Sequence, residues 1–252
     1  MAAEFPLHEK LILITGASKR IGKAMALACA EAGADVIVHF NTSREPAKTT
    51  QREIQALGRR AWILQADLSK PVEVVQLVER ASSLGSIFGL VNNAAIFSGG
   101  PFRETSIPDW EAHLAVNLTA PFLLTQAFAR HVVPEAKGRV VNLLDWRALR
   151  PEPSHFAYGI SKAGLAAMTR SLAQSLAPNI VVNGLALGAF LPPGDGTRDP
   201  SIVERIPAMR WGDLDELTHA LLFLLAGPTY ITGEIIHVDG GRHLNQEDAW
   251  IR

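Results

Sequence analysis

Short apolar runs alternate with helix-periodic segments from Leu11 to Val238. This predicts an α/β protein: a single-domain, doubly wound parallel sheet of about seven strands, with helices on both faces. Two further observations fit one domain over 1–252. The chain has 252 residues and 48% hydrophobic content, enough for one large core. No linker, repeat or change of composition divides it.

The first strand is Leu11–Thr15, a continuous apolar run of the kind buried on both faces. The turn Gly16–Gly22 leads into a helix over Lys23–Ala32, closed by Gly33. Asp35–Phe40 is the second strand, and the polar segment from Asn41 enters a helix that ends near Leu57 before Gly58. Ala61–Ala66 is the third strand, with a helix over Val72–Leu84 behind it. Gly89–Asn93 is the fourth strand, followed by a loop to Pro108 and one long helix over Trp110–Val133. Arg139–Leu144 is the fifth strand, and an apolar-periodic helix covers Tyr158–Leu176. Ile180–Gly184 is the sixth strand. A loop rich in proline and glycine, about 187–210, is expected to cover substrate. Helical pattern returns at Pro200–Glu204 and Leu214–Ala226, and Glu234–Val238 is the last strand.

Composition excludes several classes. The net charge of -1 gives no basic field for nucleic acid and no polybasic segment for a membrane surface. No apolar run reaches the about 18 residues a membrane span requires. The first residues lack an apolar signal core, so a cytoplasmic protein is expected. The single cysteine, Cys29, lies in an Ala-rich segment and reads as a small core residue. The eight histidines show no metal-ligand spacing, and no metal site is expected.

Chemistry concentrates between the fifth strand and the helix after it. Tyr158 and Lys162 are four apart and share a helical face. A nearby ammonium favours a phenolate, so the pair is expected to lower the Tyr158 pKa and make it an acid or base for a carbonyl, alcohol or imine. Asp145, thirteen residues earlier at the strand mouth, can orient Tyr158 or relay a proton, and as a carboxylate it would raise the Tyr158 pKa, opposing Lys162. At the other end, Gly16 and Gly22 flank the first turn, where backbone N–H groups can approach a pyrophosphate in a Rossmann-like site. After the second strand an NAD site ordinarily carries a carboxylate; Asn41, Thr42, Ser43 and Arg44 stand there instead, with Lys19 and Arg20 in the first turn. Amide, hydroxyls and cations suit a 2′-phosphate, so NADP(H) is the expected cofactor. Asp67 and Leu68 suit an adenine edge, or Asp67 N-caps the next helix.

In order and spacing, Thr15-Gly16-Ala-Ser-Lys-Arg-Ile-Gly22, Asp67, Asn92-Asn93-Ala94-Ala95, Asn117, Tyr158-x-x-x-Lys162 and Val238-Asp-Gly-Gly241 resemble the short-chain dehydrogenase/reductase family over nearly the whole chain. The resemblance implies that Asn93 and Ala94 lie against the cofactor. It also implies that Asn117 helps hold a proton-relay water, and that Lys162 binds the nicotinamide ribose and tunes Tyr158. The family's catalytic serine is Asp145 here, the middle glycine of the first turn is Arg20, and Leu187-Gly188 stands where Pro-Gly is usual. The first two departures resemble the pteridine reductase branch, in which an aromatic after Asn-Asn-Ala stacks on the pterin; Phe97 stands there. Ala95 and Thr42 depart from that branch.

The expected catalytic set is thus Asp145, Tyr158, Lys162 and Asn117. The substrate set is Arg20, Phe97, Asp145 and Tyr158. The cofactor set is Gly16, Ser18, Lys19, Arg20, Ile21, Asn41, Thr42, Ser43, Arg44, Asp67, Leu68, Asn93, Ala94, Tyr158, Lys162 and Gly188. The implied activity is NADPH-dependent reduction of a pterin, dihydropterin or dihydrofolate-like ring, with Tyr158 as proton donor and Arg20 touching both cofactor phosphate and ring. Reduction or oxidation of another carbonyl or alcohol (ketone, sugar or acyl), and a non-catalytic NADP(H)-binding regulatory role, are the alternatives. A homotetramer is implied, packed through the helices near 110–133 and 158–176; Ala163, Ala166 and Ala167 suit close helix approach or burial on their own sheet.

Overall fold

A computed structural model describes residues 6–132, 137–150, 152–192 and 199–245. Seven parallel strands form one sheet in the order β3-β2-β1-β4-β5-β6-β7. They are β1 (Leu11–Ile14), β2 (Asp35–Phe40), β3 (Ala61–Gln65), β4 (Ile87–Asn92), β5 (Gly138–Asp145), β6 (Ile180–Leu187) and β7 (Ile235–Val238). The helices are α1 (Arg20–Glu31), α2 (Arg44–Ala56), α3 (Pro71–Ser82), α4 (Ile107–Leu114), α5 (Ala120–His131), α6 (Phe156–Leu176), α7 (Pro200–Glu204) and α8 (Leu214–Ala226).

β1, β2 and β6 are buried along their whole length, as their runs of Leu, Ile and Val favour. One face is covered by α1, α2 and α8 through Met25, Ile54, Leu221 and Leu225. The other is covered by α3 and α5 through Val74, Leu77, Leu124 and Phe128, with α6 adding Ala173, Leu165 and Ala166. Each such fully buried large side chain stabilises the fold by about 1.5–3 kcal/mol. Cys29 lies wholly inside the first of these cores, and burial pushes its thiol up to about 12, so it is an inert packing residue.

Strand order reverses between β1 and β4, so a crevice opens at the carboxyl ends of these strands. All the chemistry-bearing turns sit at that edge. β6 continues past Gly184 to Leu187, pairing Leu144 with Ala186 and Asp145 with Leu187; this carries Asp145 to the rim of the crevice.

The expected helix over Trp110–Val133 is corrected. Its register is broken by a π turn at Ala115–Thr119, which separates α4 from α5; Val133 lies outside the described residues. A π turn inserts one residue and turns a side chain that an unbroken helix would aim elsewhere. Here it places Asn117, fully buried, against the site. In the expected loop at 187–210, residues 193–198 lie outside the described residues, and α7 follows.

Candidate active site

The first turn is built by close backbone approach. Gly16 has φ +64, and a side chain on Gly22 would place its Cβ 2.2 Å from the Gly16 carbonyl oxygen. Arg20 also has positive φ, +54, at the position where glycine is ordinary; a non-glycine residue there carries backbone strain. Its guanidinium donates to the Pro192 carbonyl at 2.6 Å, tying the first turn to the segment after β6. Ser18 is buried, Ile21 half-buried and Lys19 exposed.

His39 locks this turn from behind. Gly16 N–H donates to its Nδ1 at 3.0 Å, and its Nε2 contacts the Ala66 carbonyl at 3.1 Å. That pairing requires the proton on Nε2. Burial holds the ring neutral, with a pKa lowered to about 4. His39 reads in the sequence as a strand-end histidine; its partners are 23 and 27 residues away and carry no local signal.

Asn93 joins β4 to the same turn. Its side-chain Nδ2 donates to the carbonyls of Thr15 (2.7 Å) and Gly16 (3.2 Å), while Thr15 Oγ1 accepts from the N–H groups of Asn93 and Ala94. Past β2, Asn41 and Thr42 are exposed, Ser43 stands at the N-terminus of α2 without a capping bond, and Arg44 opens the helix. Glu45 is occupied by Lys48 at 2.8 Å. The only carboxylate on β2, Asp35, lies at its opposite end, held by Arg59 and Arg60. Asp67 accepts from Ser69 N–H and hydroxyl, whereas Lys70 is the N-cap of α3; the capping alternative for Asp67 is therefore set aside. Leu68 is buried. Gly188 lets β6 pass β7: a Cβ would sit 2.6 Å from Asp239 Cα.

At the catalytic end, the Tyr158 hydroxyl donates to Asp145 Oδ2 at 3.2 Å. Of the two opposing influences expected on its pKa, lowering by Lys162 and raising by Asp145, the raising one prevails. Burial first, then the Asp145 charge, raises Tyr158 well above an ordinary phenol. Lys162 lies beneath the ring, 5.8 Å from its centroid, and spends a proton on the Leu143 carbonyl at 2.7 Å. Burial lowers its pKa to about 8. Asn117 is bonded on both sides: Oδ1 accepts from Ile96 N–H at 2.9 Å, and Nδ2 donates to the Ile96 carbonyl and to Ser161 Oγ.

Phe97 is half-exposed and stands edge-on to Tyr158, centroids 4.7 Å apart. One of its faces is covered by His155, stacked at 4.5 Å and 17°. The loop carrying Phe97 is zipped to the entry of α6 by Gly100 N–H to the Ser154 carbonyl and Phe156 N–H to the Gly100 carbonyl. Arg147 and Glu152 also belong to this group: Arg147 reaches Asp145 at 3.2 Å and Glu152 at 3.0 Å. Trp146 is buried, with the guanidiniums of Arg147 and Arg242 4.7 and 4.5 Å from the centre of its ring. The start of the C-terminal segment returns to its own chain, with Arg150 against the carbonyls of Arg242 and His243. Residues 246–252 and any contact of theirs with a partner lie outside the described residues.

The model of the family described as short chain dehydrogenase matches residues 10–200. The chain belongs to the short-chain dehydrogenase/reductase family. Among curated relatives, the 3-oxoacyl-[acyl-carrier-protein] reductase FabG of Aquifex aeolicus is 37% identical over 246 residues, covering 94% of this chain and 99% of that one. Among solved structures, the FolM alternative dihydrofolate reductase 1 of Brucella canis, complexed with NADP, superposes with TM-score 0.89 at 34% identity, covering 97% of this chain and 98% of that one. A short chain dehydrogenase from Burkholderia cenocepacia, also in complex with NADP, gives TM-score 0.87 at 35% identity, covering 94% and 99%. This membership makes the protein an oxidoreductase with a Rossmann-like fold. Among the described residues no helix is long and apolar enough to cross a membrane, and no cluster of three potential metal ligands occurs.

Proposed function

We propose that this protein reduces a pterin- or dihydropterin-like ring with NADPH. The observation that carries the reading is Asp145 hydrogen-bonded to Tyr158 beneath the edge of an exposed Phe97. A carboxylate in a position the family ordinarily gives to a serine suits a substrate with several N–H groups, and an aromatic face suits a flat heteroaromatic ring.

The residues fit NADP(H). The Gly16–Gly22 turn admits backbone but no side chain, and the N-terminus of α1 is open to a pyrophosphate. Ser43 and Arg44 at the N-terminus of α2, with Asn41, Thr42 and Lys19 near them in sequence, would hold a 2′-phosphate, and the neighbouring Glu45 is neutralised by Lys48. Asp67 and Leu68 would border the adenine. Asn93, Ala94 and Gly188 would line the nicotinamide half, with Lys162 on the ribose. NADPH supplies the hydride when bound.

The chain's own residues supply the proton. Tyr158 remains a phenol throughout the neutral range because burial and Asp145 both oppose its ionisation. That favours donation, hence reduction, over proton abstraction. As the hydride adds to the ring carbon, the neighbouring nitrogen takes the C=N electron pair and becomes basic enough to accept the Tyr158 proton, and Tyr158 then regains a proton from water. Asn117 holds the backbone at Ile96, next to Phe97. Arg20 serves both cofactor phosphate and ring edge from the first turn.

A second reading, reduction of a 3-oxoacyl or other carbonyl substrate, is supported by the activity named for the Aquifex aeolicus relative. Incubation with NADPH and dihydropterin, dihydrofolate or a simple ketone separates them: NADPH is consumed with the ring substrates under the first reading, and with the ketone alone under the second. Cofactor binding without turnover of any of these supports a regulatory role.

We also propose a cytoplasmic homotetramer. Phe122 on α5 and Ile160 on α6 are large apolar side chains left more than 40% exposed on the helices expected to pair, and Ala167 is exposed beside them on α6. Ala166, by contrast, is spent on its own sheet. Light scattering on the purified protein reads the assembly directly.

A further inference from the structure

Between Asp145 and Tyr158 the chain makes a tight circuit that the motif residues do not account for. Asp145 caps its own following turn, accepting from Arg147 N–H at 2.9 Å. The Arg147 side chain then folds back, and Nη1 lies 3.2 Å from Oδ1 and 3.4 Å from Oδ2 of the same carboxylate. Its Nε donates in the other direction to Glu152 Oε2 at 3.0 Å. Glu152 accepts from Ser154 N–H and hydroxyl, and Ser154 Oγ lies 2.6 Å from His155 Nδ1, whose ring covers Phe97. All three charged side chains of the core of this circuit are less than one-fifth exposed, with Arg147 at 15%, Asp145 at 16% and Glu152 at 18%. A second guanidinium, that of Arg242, lies over the Trp146 ring at 4.5 Å.

One guanidinium therefore stands between two carboxylates, one serving the proton donor and the other the aromatic wall. Without it, two negative charges would share a half-buried pocket with nothing to separate them, and neither would keep its direction. We propose that Arg147 is the positioning residue of this site: it aims Asp145 Oδ2 at the Tyr158 hydroxyl and, through Glu152, Ser154 and His155, holds the Phe97 ring edge-on to Tyr158. It bonds Asp145 directly and its guanidinium lies 5.8 Å from the centre of the Phe97 ring, so it reaches Tyr158 through Asp145. The proposal rests on the proposed function only in naming Phe97 as the ring platform; its effect on Tyr158 applies to any substrate that takes a proton there.

The test is steady-state kinetics on Arg147→Ala, Arg147→Lys and Glu152→Gln, with NADPH affinity measured in parallel by fluorescence. Arg147→Ala loses about 10- to 100-fold in kcat, as small misplacements of a reacting group do. Its KM for the ring substrate rises and its NADPH affinity stays within about 2-fold of the parent, because the cofactor turn lies elsewhere. Guanidinium ion, kept well below denaturing concentration, restores kcat in Arg147→Ala, whereas sodium at the same ionic strength does not. Arg147→Lys retains more kcat than Arg147→Ala, since the charge survives without the fork. Glu152→Gln raises KM for the ring with kcat nearly unchanged. Parental kcat in Arg147→Ala, or a loss that guanidinium leaves untouched while NADPH still binds, overturns the inference. If Arg147→Ala does not fold, Arg147→Gln is compared with Arg147→Lys, and equal kcat in the two overturns it. A parent enzyme active on a ketone and silent on ring substrates removes the substrate reading alone, since kcat and its guanidinium rescue are then measured with the ketone.

Discussion

In the proposed reaction Tyr158, Asp145 and Lys162 divide the work by environment. Tyr158 is a protonated donor because it is buried beside a carboxylate; Lys162 is a weakened cation because it is buried beneath the ring. Tyr158→Phe removes only the hydroxyl, so turnover falls by about 10²- to 10⁴-fold while NADPH still binds; turnover near the parental rate would remove Tyr158 from the mechanism. Lys162 sets the alkaline side. Its pKa of about 8 means that its charge is lost as pH rises through 8, and kcat/KM should fall there. Asp145 raises that pKa against burial, so Asp145→Asn moves the alkaline limb to lower pH. A limb that stays in place would show that Asp145 and Lys162 are not coupled. The same shift costs stability below pH 8, where the native state must bury the ammonium; the cost is relieved between about 8 and the unfolded value near 10.5, as pH rises.

At the scale of elements, the site depends on three strand ends held in register by one histidine. His39 is neutral in the native state down to about pH 4 and takes a proton near pH 6.5 when unfolded. The unfolded chain therefore binds the extra proton between those values, and stability from this residue is lost as pH falls through that window. Thermal melts of His39→Gln should show a shallower decline from pH 6.5 to 4 than the parent; identical slopes would mean that His39 does not carry it. Gly22→Ala drives a methyl group into the Gly16 carbonyl and against Asn93 Nδ2. It should lower stability by about 1–3 kcal/mol and weaken NADPH binding by displacing the turn, measured by urea unfolding and titration. Asn117 owes its placement to the π turn, a feature with no signature in hydrophobic periodicity, which is why Trp110–Val133 reads as one helix.

For the whole molecule, strand and helix alternation carried the fold, because each strand is a short run dominated by apolar residues and each is followed by a helix-periodic segment or a polar turn. The bounds of α7 and α8 coincide with the expected Pro200–Glu204 and Leu214–Ala226, where Pro200 and an acidic first turn mark the starts. The motif residues of the crevice were legible because backbone approach demands glycine at Gly22, and a side-chain amide at Asn93 bonds the same turn. The circuit through Arg147, Glu152 and His155 was not: ion pairs and ring stacking depend on where a loop folds back, and the polar run Glu152–His155 reads as solvated loop. For the Tyr158 pKa the opposition of Asp145 and Lys162 was legible, whereas the burial that decides it was not, since the depth of the ring depends on the fold.

The most direct measurement is the ratio of kcat/KM for a dihydropterin to kcat/KM for a 3-oxoacyl thioester, both with NADPH and wild-type enzyme. The Asp145–Tyr158–Phe97 arrangement predicts a ratio of at least about 10² in favour of the pterin, because a site whose polar groups are set for ring N–H partners leaves them unpaired on an acyl chain. A ratio below one would contradict the pterin assignment and place this chain with the carbonyl reductases.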